Sequence, residues 1–156
     1  MKIEFVNICS VGSAQYKKGA VADLSDNIAN KINSDLKIFK HQNRKPRLLV
    51  MGLSFKENCP DLRNTKVVDV ISELIEKGIN VDVWDPWVNS EEAQNEYGIS
   101  PIQHPENGIY NGIIIAVAHK DFIEIGEDGI RKFGAKNHIL YDLKYILSAE
   151  QSDMRL

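Results

Sequence analysis

Beyond Pro46 the chain alternates between short continuous apolar runs and longer stretches in which apolar residues return at every third or fourth position. Leu48-Leu49-Val50-Met51, closed by Gly52, has the length and composition of a strand buried on both faces. Val67, Val68, Ile71, Leu74 and Ile75 then mark one apolar helical face, which Asn64 or Thr65 is placed to cap and Gly78 to stop after Lys77. Asn80 to Trp84 reads as a second strand ended by Asp85-Pro86, and Ser90 to Tyr97 as a short helix with Glu91 and Glu92 in its first turn. Ile113 to Val117 is the most apolar strand, followed by helical segments between Phe122 and Phe133 and by a last strand from His138 to Tyr141. Parallel neighbours need long, right-handed crossovers, so this order predicts an α/β fold with a doubly wound parallel sheet covered on both faces.

Before Pro46 the pattern is different. Ile28, Ala29, Ile32, Leu36 and Phe39 form one helical stripe, with Ser25 or Asp26 as N-cap and the basic stretch Lys40 to Lys45 complementing the C-terminal end. Residues 3–8 could form a short strand, but the stretch from there to Ala22 is small and polar. The chain therefore divides into a segment 1–25, a helix within 26–45 and a domain 46–156.

Composition narrows the function classes. The 156 residues are 43% hydrophobic and 26% charged, ordinary for a globular protein. Lys and Arg total 19 against 22 Asp and Glu, a net charge of −3, and no basic face is long enough to release counterions from a nucleic acid or to seek an anionic membrane. Nucleic acid and membrane are excluded as expected partners. The two cysteines, Cys9 and Cys59, have neither CxxC nor zinc-ligand spacing, so no metal is expected, and a reducing cytoplasm is the expected setting. No signal-peptide core or apolar run of membrane-spanning length is present.

In an open parallel sheet, ligands bind beyond the carboxyl ends of the strands, so the residues just after each strand carry the chemistry. There the chain places Lys56, Arg63, His119 and Lys144. Cations beside a helix N-terminus suit a phosphorylated ligand, because backbone N–H groups near Thr65 and Lys66 donate while the side chains supply charge. In the blander account Lys56 and Arg63 pair with Glu57 or Asp61 on a solvated loop. Dinucleotide and Walker glycine loops are both absent: Gly52 stands alone, and residues 53–64 intervene before the helix. Asp85 stands where such folds carry a ribose-binding acid, or it caps its own Asp-Pro turn. His119 could act as an acid or base, or satisfy a loop. Trp84 and Trp87 could stack on a ring or pack against the helix. Cys59 has no base at fixed spacing and reads as structural, so no residue of the chain is assigned a catalytic role.

The run from Val50 through Gly52-Leu53-Ser54-Phe55-Lys56-Glu57-Asn58-Cys59-Pro60-Asp61-Leu62-Arg63-Asn64-Thr65-Lys66 to Asp69, followed by Val81-Asp82-Val83-Trp84-Asp85-Pro86, resembles the C-terminal domain of the UDP-glucose/GDP-mannose dehydrogenase family. The likeness continues through Ala116 to His119, Tyr141 to Lys144 and Ser152 to Leu156, and within the family it is greatest to bacterial enzymes that oxidise UDP-N-acetylhexosamines for surface polysaccharide. The resemblance implies a Rossmann-like fold preceded by a connecting helix at 26–45 that carries homodimer contacts. It implies that Phe55, Lys56 and Lys144 contact the UDP-sugar. Arg63 resembles the arginine that reaches the NAD diphosphate held by a separate NAD-binding domain. The family's glycine-rich NAD loop and its nucleophilic cysteine have no counterpart here, and Cys59 belongs to a different motif. The chain is thus expected to bind UDP-sugar without catalysing alone. The rival expectation is a freestanding nucleotide-sugar sensor or an assembly module.

Overall fold

The alternating apolar runs become the sheet of the computed structural model, which describes residues 29–37 and 45–155. Expectations for 1–25, for both ends of the 26–45 helix and for most of the basic stretch after it lie outside these residues. Five strands, β1 (Arg47–Met51), β2 (Asn80–Trp84), β3 (Tyr110–Ile115), β4 (Gly134–Asp142) and β5 (Met154–Arg155), lie in the order β2-β1-β3-β4-β5, every pair parallel. The connections carry α1 (Val67–Glu76), α2 (Ser90–Tyr97) and α3 (Lys120–Arg131).

Period-two alternation sorts the strand residues to two cores. Leu48, Val50, Ile114 and Tyr141 face α1 through Val67, Val70, Ile71 and Leu74. Leu49, Met51, Ile113, Ile115 and Leu140 face the other way, against Phe122 and Ile130 of α3 and against Trp84. Trp84 thus packs in the α3 core beside Phe122 and Phe133, not on the helix between the first two strands.

Ala29, Ile32 and Leu36 of the helical segment 29–37 join the α1-side core with at most 1% exposure, and Asp35 accepts a hydrogen bond from the Tyr141 hydroxyl at 3.3 Å. Burial, with the Asp35 charge, raises the Tyr141 phenol well above its ordinary value. The apolar stripe of this segment is therefore covered by the chain's own domain.

Several boundaries differ from those read in the sequence. β3 starts and ends earlier than 113–117, because Ala116 and Val117 leave the ladder and both donate to Met51 O. β4 begins at Gly134 rather than His138, made possible by an irregularity between Tyr110 and Gly112 on its neighbour. β5 is two residues long, too short to carry a periodicity. At the start of α1 the N-cap position falls on Lys66, with no side-chain cap, because the Thr65 hydroxyl donates to Leu53 O at 2.6 Å and meets Val67 N only at 3.4 Å. α2 agrees with its expectation at both ends: Asn89 accepts from Glu92 N and Gly98 closes it in the left-handed conformation. α3 is broken at Gly126, whose φ of 67° no ordinary helix residue adopts.

β1 has β2 on one side and β3 on the other, so the chain runs in opposite directions across the sheet from this point. That switch opens a crevice beyond the carboxyl ends of β1 and β3. Gly52 sets its floor. With φ of +100° it lets the chain turn against the β3 loop, where a Cβ would meet Val117 Cβ at 2.5 Å.

Candidate functional site

The switch-point crevice is lined by the β1 loop at Ser54, Phe55 and Lys56, by the start of α1 at Thr65, Lys66 and Val67, and by the ends of β3 and β4 at Ala116, Val117 and Lys144. Three lysines from three separate stretches thus share one cleft with a helix N-terminus. Lys56 and Lys144 were legible from their positions after strands, and Phe55 accompanies them. Lys66 was read only as a backbone donor. Its position at the N-cap of α1 was the available signal that its side chain borders the same opening.

The Lys56 loop is held at several points. Phe55 N donates to Asp61 O at 2.8 Å, closing it, and Ser54 Oγ donates to Lys56 O at 3.0 Å. Asp85, 5% exposed at the end of β2, holds the near end: its Oδ2 accepts from Leu53 N at 2.7 Å and Ser54 N at 2.9 Å, while Oδ1 accepts from Trp87 N at 2.8 Å. The last of these is the Asx turn foreseen for Asp85-Pro86. His119 Nε2 adds a contact to Asp85 Oδ2 at 3.0 Å. Burial works against the Asp85 carboxylate, but the His119 contact and the two N–H donors outweigh it and hold the carboxyl below its ordinary value. With both oxygens taken by its own chain, Asp85 has no place for a ribose.

Two cations of the sequence reading lie elsewhere. His119 does not belong to the charged rim: it is fully buried, and its Nδ1 accepts from Asn58 N at 2.9 Å. Its ring is stacked by Trp87, which is where that tryptophan packs. Arg63 does not line the cleft. Its guanidinium forms a two-pronged bond to Asp61, Nε to Oδ1 at 3.0 Å and Nη2 to Oδ2 at 2.9 Å, on a side chain 79% exposed. The Arg63 bonds hold the Asp61 carboxyl at about 2. This is the loop pairing weighed for Arg63 above.

Electrostatically the cleft is open to an anion. Among the described residues no carboxylate lies within ion-pair distance of Lys56 or Lys66. Asp69 stands in the first turn of α1, where burial raises its carboxyl above the ordinary value. Among the described residues no group of three or more His, Cys, Asp or Glu side chains is placed to hold a metal ion, and no helix is long and apolar enough to cross a membrane.

Comparison with known proteins gives the same frame. Residues 49–149 match the profile of the UDP-glucose/GDP-mannose dehydrogenase family, UDP binding domain. The chain is 60% identical over 110 residues to UDP-N-acetyl-D-glucosamine 6-dehydrogenase of Pseudomonas aeruginosa, covering 70% of this chain and 26% of that protein. It is 47% identical over 137 residues to the Salmonella typhi enzyme of the same name, covering 85% and 32%. In fold it resembles the UDP-D-ManNAc dehydrogenase of Pyrococcus horikoshii, with TM-score 0.66 at 17% identity over 94% of this chain and 34% of that one. The chain spans about a quarter to a third of the length of the curated relatives it matches. By profile, identity and sheet topology together, this chain belongs to the UDP-glucose/GDP-mannose dehydrogenase family and carries its UDP binding domain.

Proposed function

We propose that the cleft holds the diphosphate of a UDP-sugar, and that the chain supplies the UDP-sugar-binding part of a nucleotide-sugar 6-dehydrogenase acting on UDP-N-acetylhexosamines. The observation that carries the reading is the convergence of Lys56, Lys66 and Lys144 on the N-terminus of α1. A diphosphate brings two or more negative charges and many acceptor oxygens, and three ammonium groups beside a helix N-terminus match both. Phe55, half-buried at the cleft wall, offers an apolar surface beside the charges for a sugar or base face. The names of the relatives support a hexosamine nucleotide as the ligand.

The residues do not form a dinucleotide cradle. Where glycines would let a pyrophosphate approach the backbone, the β1 loop carries Phe55 and Lys56, with Gly52 alone and packed against Val117. NAD, the hydride acceptor that oxidation of a sugar alcohol requires, belongs in this reading to another domain of the dehydrogenase, which Arg63, pointing outward, would meet. A nucleotide-sugar oxidation of this kind belongs in the cytoplasm, where the Cys59 thiol stays reduced.

Titration of the chain with UDP, followed by amide chemical shifts, tests the proposal. One wall of a cleft leaves much of the ligand wet, so the expected Kd is about 0.1–1 mM. Shifts should centre on Lys56, Lys66 and Lys144, and Lys56→Ala should weaken binding about tenfold, the scale of one charge-assisted contact. No shift at millimolar UDP would overturn the reading in favour of an assembly role.

A further inference from the structure

A fully enclosed titratable side chain of the domain lies outside the cleft yet touches the loop that forms it. His119 follows β3 and is 0% exposed. Its Nδ1 accepts the Asn58 N–H at 2.9 Å, which places the ring proton on Nε2. Nε2 lies 3.0 Å from Asp85 Oδ2 and 3.1 Å from Ser54 Oγ. The Ser54 hydroxyl hydrogen is engaged by Lys56 O, so the serine oxygen faces the imidazole as acceptor. Asn58 closes the arrangement from the other side, its Oδ1 accepting from Lys120 N at 2.9 Å.

From this geometry we infer that His119 is a positioning residue for diphosphate binding, holding the β1 loop on both sides of Lys56 so that its ammonium stays in the cleft. The inference rests on the reading of that cleft as a diphosphate site. One imidazole contacts Ser54 and Asn58, which bracket Lys56 in the chain, and Ser54 relays the contact to the Lys56 carbonyl. Filling the volume would need only an apolar residue. The two ring nitrogens instead join three strand ends: β1 through Ser54 and Asn58, β2 through Asp85, and β3 through His119 itself. Trp87, stacked at 6.2 Å between ring centroids, and Phe122, edge-on at 5.2 Å, keep the imidazole in one plane. Such an arrangement fixes a lysine before the ligand arrives, so less of the binding energy is lost to ordering the loop.

Two variants of the whole chain, with two readouts each, test the inference. His119→Gln keeps a donor towards Asp85 and removes the acceptor for Asn58 N–H. Asn58→Gly keeps the φ of +54° and the N–H but removes the bond to Lys120 N, at an exposed position that does not endanger folding. Without ligand, the amide order parameter of Lys56 should fall in both variants while those of β1 and α1 do not. With UDP, His119→Gln should bind about fivefold more weakly and Asn58→Gly about two- to threefold, in samples whose amide spectra show them folded. Unchanged Lys56 order in a folded His119→Gln, or UDP affinity equal to the unaltered chain in that variant, would overturn the positioning role and leave a merely structural histidine. Failure of the unaltered chain to bind UDP would instead strike the diphosphate reading itself, and the ligand-free order parameters would still decide what His119 does to the loop.

Discussion

Two corners of the domain stand at the same level, beyond the carboxyl ends of the strands, and are both built from polar side chains, with opposite results. In the corner of Asp85, Ser54 and His119 every carboxylate oxygen and ring nitrogen has a partner within the chain, and all three side chains are buried. In the corner of Lys56, Lys66 and Lys144, charged groups line an opening and the adjoining helix starts without a side-chain cap. Polar groups satisfied inside the fold hold the backbone in place. Cations drawn together at one opening raise the local potential and favour an anion. The first corner is the support on which the second is built.

The sharpest way to break this comparison is Asp85→Ala. The substitution leaves Leu53 N, Ser54 N, Trp87 N and His119 Nε2 without their acceptor in a buried site, so we expect a loss of about 3–5 kcal/mol and a fall in Tm of about 10 °C, measured by thermal unfolding. A Tm within two or three degrees of the unaltered chain, on the order of 1 kcal/mol by the same scaling, would mean that the corner does not carry the loop.

The same carboxylate makes an acid-stability prediction. Its folded pKa lies below the ordinary 3.8, so its contribution is fully present above that value and disappears as pH falls through the depressed folded pKa. Urea midpoints should therefore stay level from neutral pH down to about 5 and drop below about 4. In Asp85→Asn, which cannot titrate, the drop should be shallower, and equal slopes in the two proteins would remove Asp85 from the acid limb.

Much of the scaffold was legible because it rests on local rules. β1 and the faces of α1 follow from apolar periodicity, and α2 was read at Ser90 to Tyr97, with Glu91 and Glu92 in its first turn. β5 was not legible, since two residues show no period and Met154 pairs only because β4 is already there. Within the cleft, Lys56 and Lys144 could be read from position alone, because the loops that follow parallel strands gather about the crevice. Arg63 and His119 could not be sorted by the same rule. Arg63 lies far enough along the loop to reach Asp61, and His119 turns inward because the Asn58 N–H and the Trp87 and Phe122 rings await it, a tertiary coincidence with no signature in spacing. Lys66 carries two signals at one place: a residue at a helix start reads first as a backbone donor, and here its side chain borders the same opening.

Lys66→Ala sharpens the contrast with a smaller effect. Lys66 borders the cleft from the N-cap of α1 rather than from the loop that His119 and Asp85 hold, so its contribution to a diphosphate is expected to be smaller than that of Lys56. UDP affinity should fall about threefold, with Tm unchanged within about one degree, because a half-exposed lysine on a helix start contributes little to folding. A tenfold loss would show that the ligand sits over the helix N-terminus rather than against the β1 loop.

The smallest effect is expected from Arg63→Ala, and it bears on where the boundary of the cleft runs. The guanidinium is engaged by Asp61 in two parallel bonds, is largely exposed, and is not among the residues that line the cleft. Removing it should leave the UDP affinity of this chain within about a factor of two, no more than the loss of a distant, screened charge. Its local effect should instead appear at Asp61, whose carboxyl, held at about 2 with its partner present, should titrate back towards 3.8 once the arginine is gone. Side-chain carbonyl shifts of Asp61 followed against pH read that change directly. If UDP binding fell tenfold while Asp61 moved as expected, the arginine would have to exchange its carboxylate for the ligand's phosphate, and the cleft would extend along the loop as far as residue 63. If neither changed, the Asp61 pairing would not persist in solution, and Arg63 would extend outward without an intramolecular partner, towards whatever packs against this face.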